Sequence, residues 1–283
     1  MNNQILIINK EKNLTSRDVV NKLCKIFNTK KIGHTGTLDP IATGVLVCLT
    51  GKYTKLVDIL TSLEKEYIAT IKLGIKTDTL DITGKILDEN NDYNLNKNEI
   101  EKVLKSFIGK YNQKVPVYSS IHVNGKRLYE YARNNIDVDV PTKEVEIKEI
   151  ELLDYYDDLI KFKVLVSKGT YIRSLIKDIC DKLKVIGTMS DLIRTKQGNF
   201  NIKDSYTLDS IKNNDYKSLL LEDVLDIKII KLNNELYKKV INGNILNLNY
   251  NGYVLFKKNN IDIALYYFEK RIGKLKILLN NWF

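Results

Sequence analysis

Between Lys143 and Gly169 the chain runs KEVEIKEIELLDYY and then, past Asp157 and Asp158, LIKFKVLVSKG, with apolar and charged residues taking turns. A period of two puts the apolar side chains on one face of an extended strand and the charged ones on the other. That is the pattern of neighbouring antiparallel strands with one face in water. The next segment, TYIRSLIKDICDKLK (170–184), changes to helical spacing. Elsewhere strands and helices mix without the regular βαβ alternation of a doubly wound sheet. The expectation is an α+β fold on a mostly antiparallel mixed sheet.

The remaining elements follow from the same rules. ILIIN (5–9) and VLVCLT (45–50) are apolar runs of strand length, and EYIATIKLG (66–74) is a strand closed by Gly74. TSRDVVNKLCKIFN (15–28) is a helix with Thr15 or Ser16 as N-cap and Val19, Val20, Leu23, Ile26 and Phe27 as its apolar stripe. KYTKLVDILTSL (52–63) and NKNEIEKVLKSFIG (96–109) also read as helices, the second ending at Gly109, and KRLYEYARNN (126–135) as a short basic one. From about Leu225, IKIIKL, GYVLFKK and IDIALYYF predict a small β-rich appendage. The expected division is residues 1–222 and 223–283.

Charge narrows the partner. The 283 residues carry 45 Lys+Arg against 35 Asp+Glu, a formal net charge of +10, which favours a polyanion through counterion release. Lysine, asparagine and isoleucine are abundant throughout, so charge alone does not decide between binding and coding bias. Arginine is more informative: only residues 17, 127, 133, 173, 194 and 271 are Arg. Where the chain spends one, a planar bidentate cation is called for. Cys24, Cys48 and Cys180 form no CxxC pair, and His34 and His122 are the only histidines. A disulfide framework, a zinc site and a His-rich metal centre are excluded, although an all-carboxylate Mg²⁺ site is not. The N-terminus lacks a leader pattern and no apolar run reaches the length of a membrane span, so a cytoplasmic protein without membrane association is expected.

The stretch KIGHTGTLDPIATGVL (31–46) reads as a loop. Gly33, Gly36 and Gly44 let the backbone turn and another segment come close. Neither GxxxxGK[ST] nor GxGxxG is present, which leaves no nucleotide cradle. Asp39 stands before Pro40, a common turn pair, and by itself would be a turn residue.

With its flanks, however, GHTGTLDPIATGVLVCLTGKYTKL resembles the catalytic loop of the bacterial tRNA pseudouridine-55 synthases, the TruB family. KEYIATIKLGIKTDTLDITG (65–84), VPVYSSIHVNGKRLYEYAR (115–133), SKGTYIRSLIKDI (167–179) and DLIRTKQGNF (191–200) resemble further family motifs, in the family's order. The resemblance covers roughly residues 3–205. It implies a pseudouridine synthase fold, an RNA-binding insertion at about 112–145 and a PUA-like RNA-binding domain in the tail.

The resemblance implies isomerisation of uridine in the T-arm loop of tRNA at position 55, with no cofactor and no metal. No obligatory protein partner is expected, since the chain opens almost at its first strand whereas guide-RNA-dependent relatives carry longer termini. Asp39 matches the catalytic carboxylate, acting on ribose C1′ as nucleophile or as base. Arg173 matches its ionic partner and Tyr67 the tyrosine that stacks on uracil; among seventeen tyrosines, Tyr67 is singled out by the motif alone. Tyr171 and Leu192 match substrate-contacting positions, and His34 the residue that fills the space left by an extruded base. Lys126, Arg127 and Arg133, with Tyr129 and Tyr131, suit RNA backbone contact. His122, Ser174, Cys180, Lys184 and Ile193 depart from the usual family residues, and they concern the grip on RNA rather than the Asp39, Tyr67 and Arg173 set. A binding module without catalysis is the rival from another class.

Overall fold

The computed structural model describes residues 3–134 and 136–280. Its first part contains β1 (Ile5–Lys10), α1 (Ser16–Ile26), β2 (Ile32–His34), β3 (Thr43–Thr50), α2 (Val57–Thr61), β4 (Lys65–Leu73), β5 (Ile75–Thr77), β6 (Ile86–Glu89), α3 (Lys97–Lys105) and β7 (Gly109–Lys114). Next come β8 (His122–Val123), β9 (Lys126–Arg127), α4 (Leu128–Arg133), β10 (Thr142–Tyr156), β11 (Leu159–Val166), α5 (Ile172–Leu183) and β12 (Gly187–Gln197). β13 (Phe200–Asn201), α6 (Leu208–Lys212) and α7 (Leu221–Val224) lead to β14 (Ile227–Lys231), α8 (Asn234–Ile241), β15 (Leu246–Asn247), β16 (Gly252–Lys258), β17 (Ile261–Glu269) and β18 (Ile272–Leu278).

A nine-stranded sheet follows the order β1-β3-β12-β4-β11-β10-β7, with β2 on β3 and β13 on β12. Among the described residues its pairings are antiparallel except β3 with β12, which meet at Thr43↔Ile193 and Gly44↔Arg194. The expected α+β fold with a mostly antiparallel mixed sheet is observed. The β-rich C-terminal unit is a five-stranded sheet, β14-β16-β17-β18-β15.

Burial explains the two kinds of strand in the sequence. Leu6 and Ile8 of β1 and Leu46 and Cys48 of β3 pack with α1, α3, α5 and α6 on one face of the large sheet. Their neighbours Ile5, Ile7, Val45, Val47 and Leu49 pack on the other face against Leu255, Leu265 and Ile277 of the small sheet. Strands covered on both sides must be apolar at every position, hence the unbroken runs. β10 and β11 alternate because one face alone is covered: Ile160, Phe162, Val164 and Val166 are buried. The small sheet repeats the logic, with Phe256, Tyr266 and Phe268 turned to Tyr237 and Val240 of α8.

Several expected boundaries move. The stretch 31–46 is not all loop: Ile32–His34 pairs antiparallel with β3 as Ile32↔Thr50 to His34↔Cys48. Residues 52–63 are a 3₁₀ turn over Gly51–Leu56 followed by the short α2. The helix starting at Asn96 stops at Lys105 rather than Gly109, because the Ser106 hydroxyl takes the Val103 carbonyl. The basic helix is 128–133; Lys126 and Arg127 belong instead to the β8–β9 hairpin, and Asn135 lies outside the described residues. β7 and β10 pair from Lys114↔Thr142 to Gly109↔Ile147, so the insertion leaves the sheet between residues 115 and 141. No helix among the described residues is long and apolar enough to cross a membrane.

Candidate active site

Asp39 sits on the connection from β2 to β3, and its position is set by bonds from four other segments. Leu38 N–H donates to the buried Ser16 hydroxyl at the start of α1 (2.8 Å). Asn13 N–H donates to the Pro40 carbonyl (2.8 Å), as does the fully buried Lys10 ammonium (3.3 Å). Thr35, earlier in the connection, is held through its hydroxyl by the Gln197 amide of β12 (2.6 Å). Ala42 N–H closes the turn onto the Asp39 carbonyl (3.0 Å). Gly44 (φ +97°) completes the arrangement: a Cβ there would lie 2.3 Å from the Arg194 carbonyl, so only glycine lets β3 meet β12.

Arg173 enters from the first turn of α5, where Tyr171 is the N-cap residue. Gln113 of β7 fixes that helix start from both sides, accepting from Tyr171 N–H (2.8 Å) and donating to its carbonyl (3.1 Å). The Arg173 side chain, 7% exposed, grips Asp39 with two nitrogens: Nε to Oδ2 at 2.9 Å and Nη2 to Oδ1 at 3.1 Å. Its other donors go to the carbonyls of Thr79 (Nη1, 3.0 Å) and Tyr118 (Nη2, 3.0 Å). A lysine has one nitrogen and cannot span four acceptors in a plane, which accounts for an arginine here. Thr79 lies on a tight loop tied by Asp81, whose carboxylate accepts from the Thr83 N–H (3.0 Å) and hydroxyl (2.5 Å). Leu80 in that loop holds φ +63°, a conformation leucine rarely adopts and one that the surrounding bonds must enforce.

Asp39 and Arg173 open onto a cavity of about 350 Å³ that Tyr67, Tyr171, Leu192 and Arg194 also line. Tyr67 is the third residue of β4, directly across from Arg194 of β12. Leu192, two residues earlier on the same face, forms an apolar wall. The five expected pocket residues Asp39, Tyr67, Tyr171, Arg173 and Leu192 are thus brought together. His34 is not among the lining residues: it is on β2, with its Nδ1 accepting from Gly36 N–H (3.3 Å). Burial and then the nearby Arg194 hold its pKa below the usual histidine value, so it is neutral at pH 7. Burial likewise pushes the Tyr171 phenol up.

Lys126, Arg127 and Arg133 are exposed on the insertion. Arg127 and Arg133 lie 5.9 and 5.3 Å from the ring centre of Tyr129, which reaches the cavity rim. The Tyr131 hydroxyl is engaged with the Val123 carbonyl (3.0 Å) and staples α4 to its hairpin. Sequence reasoning missed Lys65, Gln113 and Arg194. For Arg194 a signal existed, since it is one of six arginines; for Lys65, among so many lysines, there was none. A larger cleft, about 750 Å³, lies between the two sheets and is lined by Tyr53, Glu222, Lys257 and Asp262.

The folded chain thus offers a carboxylate held by a buried guanidinium in a pocket of aromatic and apolar walls. Solved structures share the fold. A chain of a Cbf5–Nop10–Gar1 complex superposes with a TM-score of 0.70 over 98% of this chain and 84% of that one, at 22% identity. A chain of an H/ACA RNP bound to a substrate RNA containing 2′-deoxyuridine gives 0.66 over 97% and 83%, at 23% identity. The family model described as TruB family pseudouridylate synthase (N terminal domain) matches residues 24–172. The tRNA pseudouridine synthase B of Caldicellulosiruptor saccharolyticus is 43% identical over 98% of this chain and 98% of its own length. That of Mycoplasma mobile is 40% identical over 98% of this chain and 91% of its own. The chain belongs to the TruB family of pseudouridylate synthases.

Proposed function

We propose that this protein isomerises uridine to pseudouridine at position 55 in the T-arm loop of tRNA, with Asp39 as the essential carboxylate. The observation that carries the reading is the two-pronged Arg173–Asp39 pair on a cavity walled by Tyr67 and Leu192. The reaction breaks the C1′–N1 bond, turns the base and rejoins it through C5, with no redox change. Asp39 either adds to C1′ or removes a proton beside it; both routes need its oxygens aimed at the sugar, and the two-pronged grip of a guanidinium itself held by two backbone carbonyls fixes them. Tyr67 faces the base and Leu192 packs on it, excluding water from the exchange. A base stacked in a folded loop must leave its stack to reach this depth, at a cost of a few kcal/mol. His34, neutral and beside the loop, fills the vacated space in the RNA. Tyr129 with Arg127 and Arg133, and Lys126 beside them, receive the strand, and the sheet from Ile227 onward acts as an RNA-binding domain of its own. Relatives named as tRNA pseudouridine synthases support tRNA as the substrate.

The test uses an unmodified tRNA transcript tritiated at uracil C5. About one equivalent of tritium is expected per tRNA from the wild type. Asp39→Asn should keep tRNA affinity and slow release by about 10⁴-fold. A wild type that binds tRNA and releases nothing would make this a binding module.

A further inference from the structure

Arg173 has its carboxylate; among the described residues, two other buried cations at the same cavity have none. Arg194 is 1% exposed and Lys65 7% exposed. The Arg194 side chain donates to the carbonyls of Val45 (Nε, 2.6 Å) and Gly36 (Nη2, 3.0 Å) and, at 3.5 Å, to the Tyr67 hydroxyl (Nη1). Lys65 Nζ donates to the carbonyls of Thr61 (2.8 Å) and Leu63 (2.6 Å). All these acceptors are uncharged oxygens, and both cations retain unspent N–H groups. The Lys65 stem and the Arg194 head meet at Gly36 on the cavity lining: a Cβ built there would stand 3.5 Å from Lys65 Cε and 3.6 Å from Arg194 Nη1. Burying two like charges side by side without a counter-ion is costly, and the cost is offset only if an anion comes to them.

The reaction supplies such an anion. Resting on the reading above, the step runs as follows. The C1′–N1 bond breaks with its electron pair on N1, leaving uracil as an anion, while Asp39 compensates C1′ by bonding to it or by taking a neighbouring proton. The base turns, C5 bonds to C1′ as the Asp39 bond or the proton transfer reverses, C5 gives its proton to a base, and N1 gains one. Between the two bonds the base carries a full negative charge in a pocket of low polarity. We propose that Lys65 and Arg194 form an anion site at the floor of the cavity that holds the detached uracil's negative charge. A backbone phosphate fits less well, because Arg194 is almost wholly buried directly across from Tyr67, the residue that faces the base. The two also differ kinetically: a phosphate is charged throughout and would contribute to binding, whereas the uracil anion exists only during reaction and would contribute to rate.

Lys65 supplies the handle. Burial first, then Arg194 and Lys168, bring its pKa down to about 8; Asp39, Arg173, Tyr67 and Tyr171 line the same cavity. The experiment measures tRNA affinity and the single-turnover tritium-release rate from pH 6.5 to 9 for the full chain, Lys65→Arg and Lys65→Met. The wild-type rate at sub-saturating enzyme should fall above about pH 8. Lys65→Arg, charged throughout, should remove that alkaline loss, and Lys65→Met should be about 100-fold slower at pH 7 with affinity within about twofold. Lys65→Met with weakened binding and an unchanged saturating rate would mean a phosphate site and overturn the proposal. So would a wild-type profile flat to pH 9, which needs no variant to fold. Failure of the wild type to release tritium at all would instead strike the functional reading itself.

Discussion

The protein has two clefts built from the same kinds of charged groups, and they differ in whether the buried cations find carboxylate partners. In the Asp39 cavity, three buried cations, Arg173, Lys65 and Arg194, face a single carboxylate among the described residues of the cavity wall. In the cleft between the sheets, which the exposed Lys31 and Lys52 also line, the half-buried Lys257 meets two carboxylates: its Nζ lies 3.0 Å from Glu222 and 3.1 Å from Asp262. Tyr53 adds a weak bond to Asp262 (3.5 Å), and Lys52 donates to the Leu279 carbonyl (2.9 Å). The second cluster ties α7 to β16 and β17 over the apolar contact of Leu255, Leu265 and Ile277 with β1 and β3. There the charges pair with one another and fasten α7 to the small sheet. In the first cleft they are left short of an anion, the condition under which charge serves chemistry rather than cohesion.

The comparison can be broken at either end. The largest effect is expected from Arg173→Lys, which keeps the charge and loses the planar grip: single-turnover rate should drop by about 10²–10³-fold with little change in tRNA affinity. A proportional loss of affinity would make Arg173 a binding residue. Lys257→Met should act the other way, costing ~1–2 kcal/mol of stability, since all three partners keep about a fifth to a quarter of their side chains in water. Chemical denaturation would show it, and activity at a permissive temperature should be untouched; a slowed reaction would show that the sheets' junction reaches the site.

The smallest effect concerns pH. Burial lowers both Lys10 and Lys65 to about 8, whereas the unfolded chain keeps lysines protonated to about 10.5. Between about pH 8 and 10 the unfolded state therefore binds more protons, so these two groups make stability rise with pH. The melting temperature should climb modestly over the interval in which activity declines. A parallel fall of both would mean that neither lysine is desolvated as the fold implies.

Much of this architecture was legible beforehand, for reasons visible in particular elements. The period-two runs of β10 and β11 declared a sheet with one wet face, and Thr15 before α1 declared a helix start that its bond to Asp18 N–H confirms. Resemblance of five motifs named the residues that meet at the cavity, although it took the fold to show that His34 stands beside the lining rather than in it. What misled was local: Lys31–Leu46 carries the glycines of a loop, yet Ile32–His34 finds hydrogen bonds on the edge of β3. Pairing partners far away in sequence override local propensity.

The sequence by itself determined the class of fold, the unbroken apolar strands and the choice of arginine at 173, because periodicity and residue chemistry are properties of single segments. Only the tertiary structure decided that Arg194 lies opposite Tyr67, that Lys65 has no carboxylate partner among the described residues, and that Lys257 has two. Charge balance in a cleft is a sum over groups from different strands, and nothing short of their packing brings those groups within reach of one another.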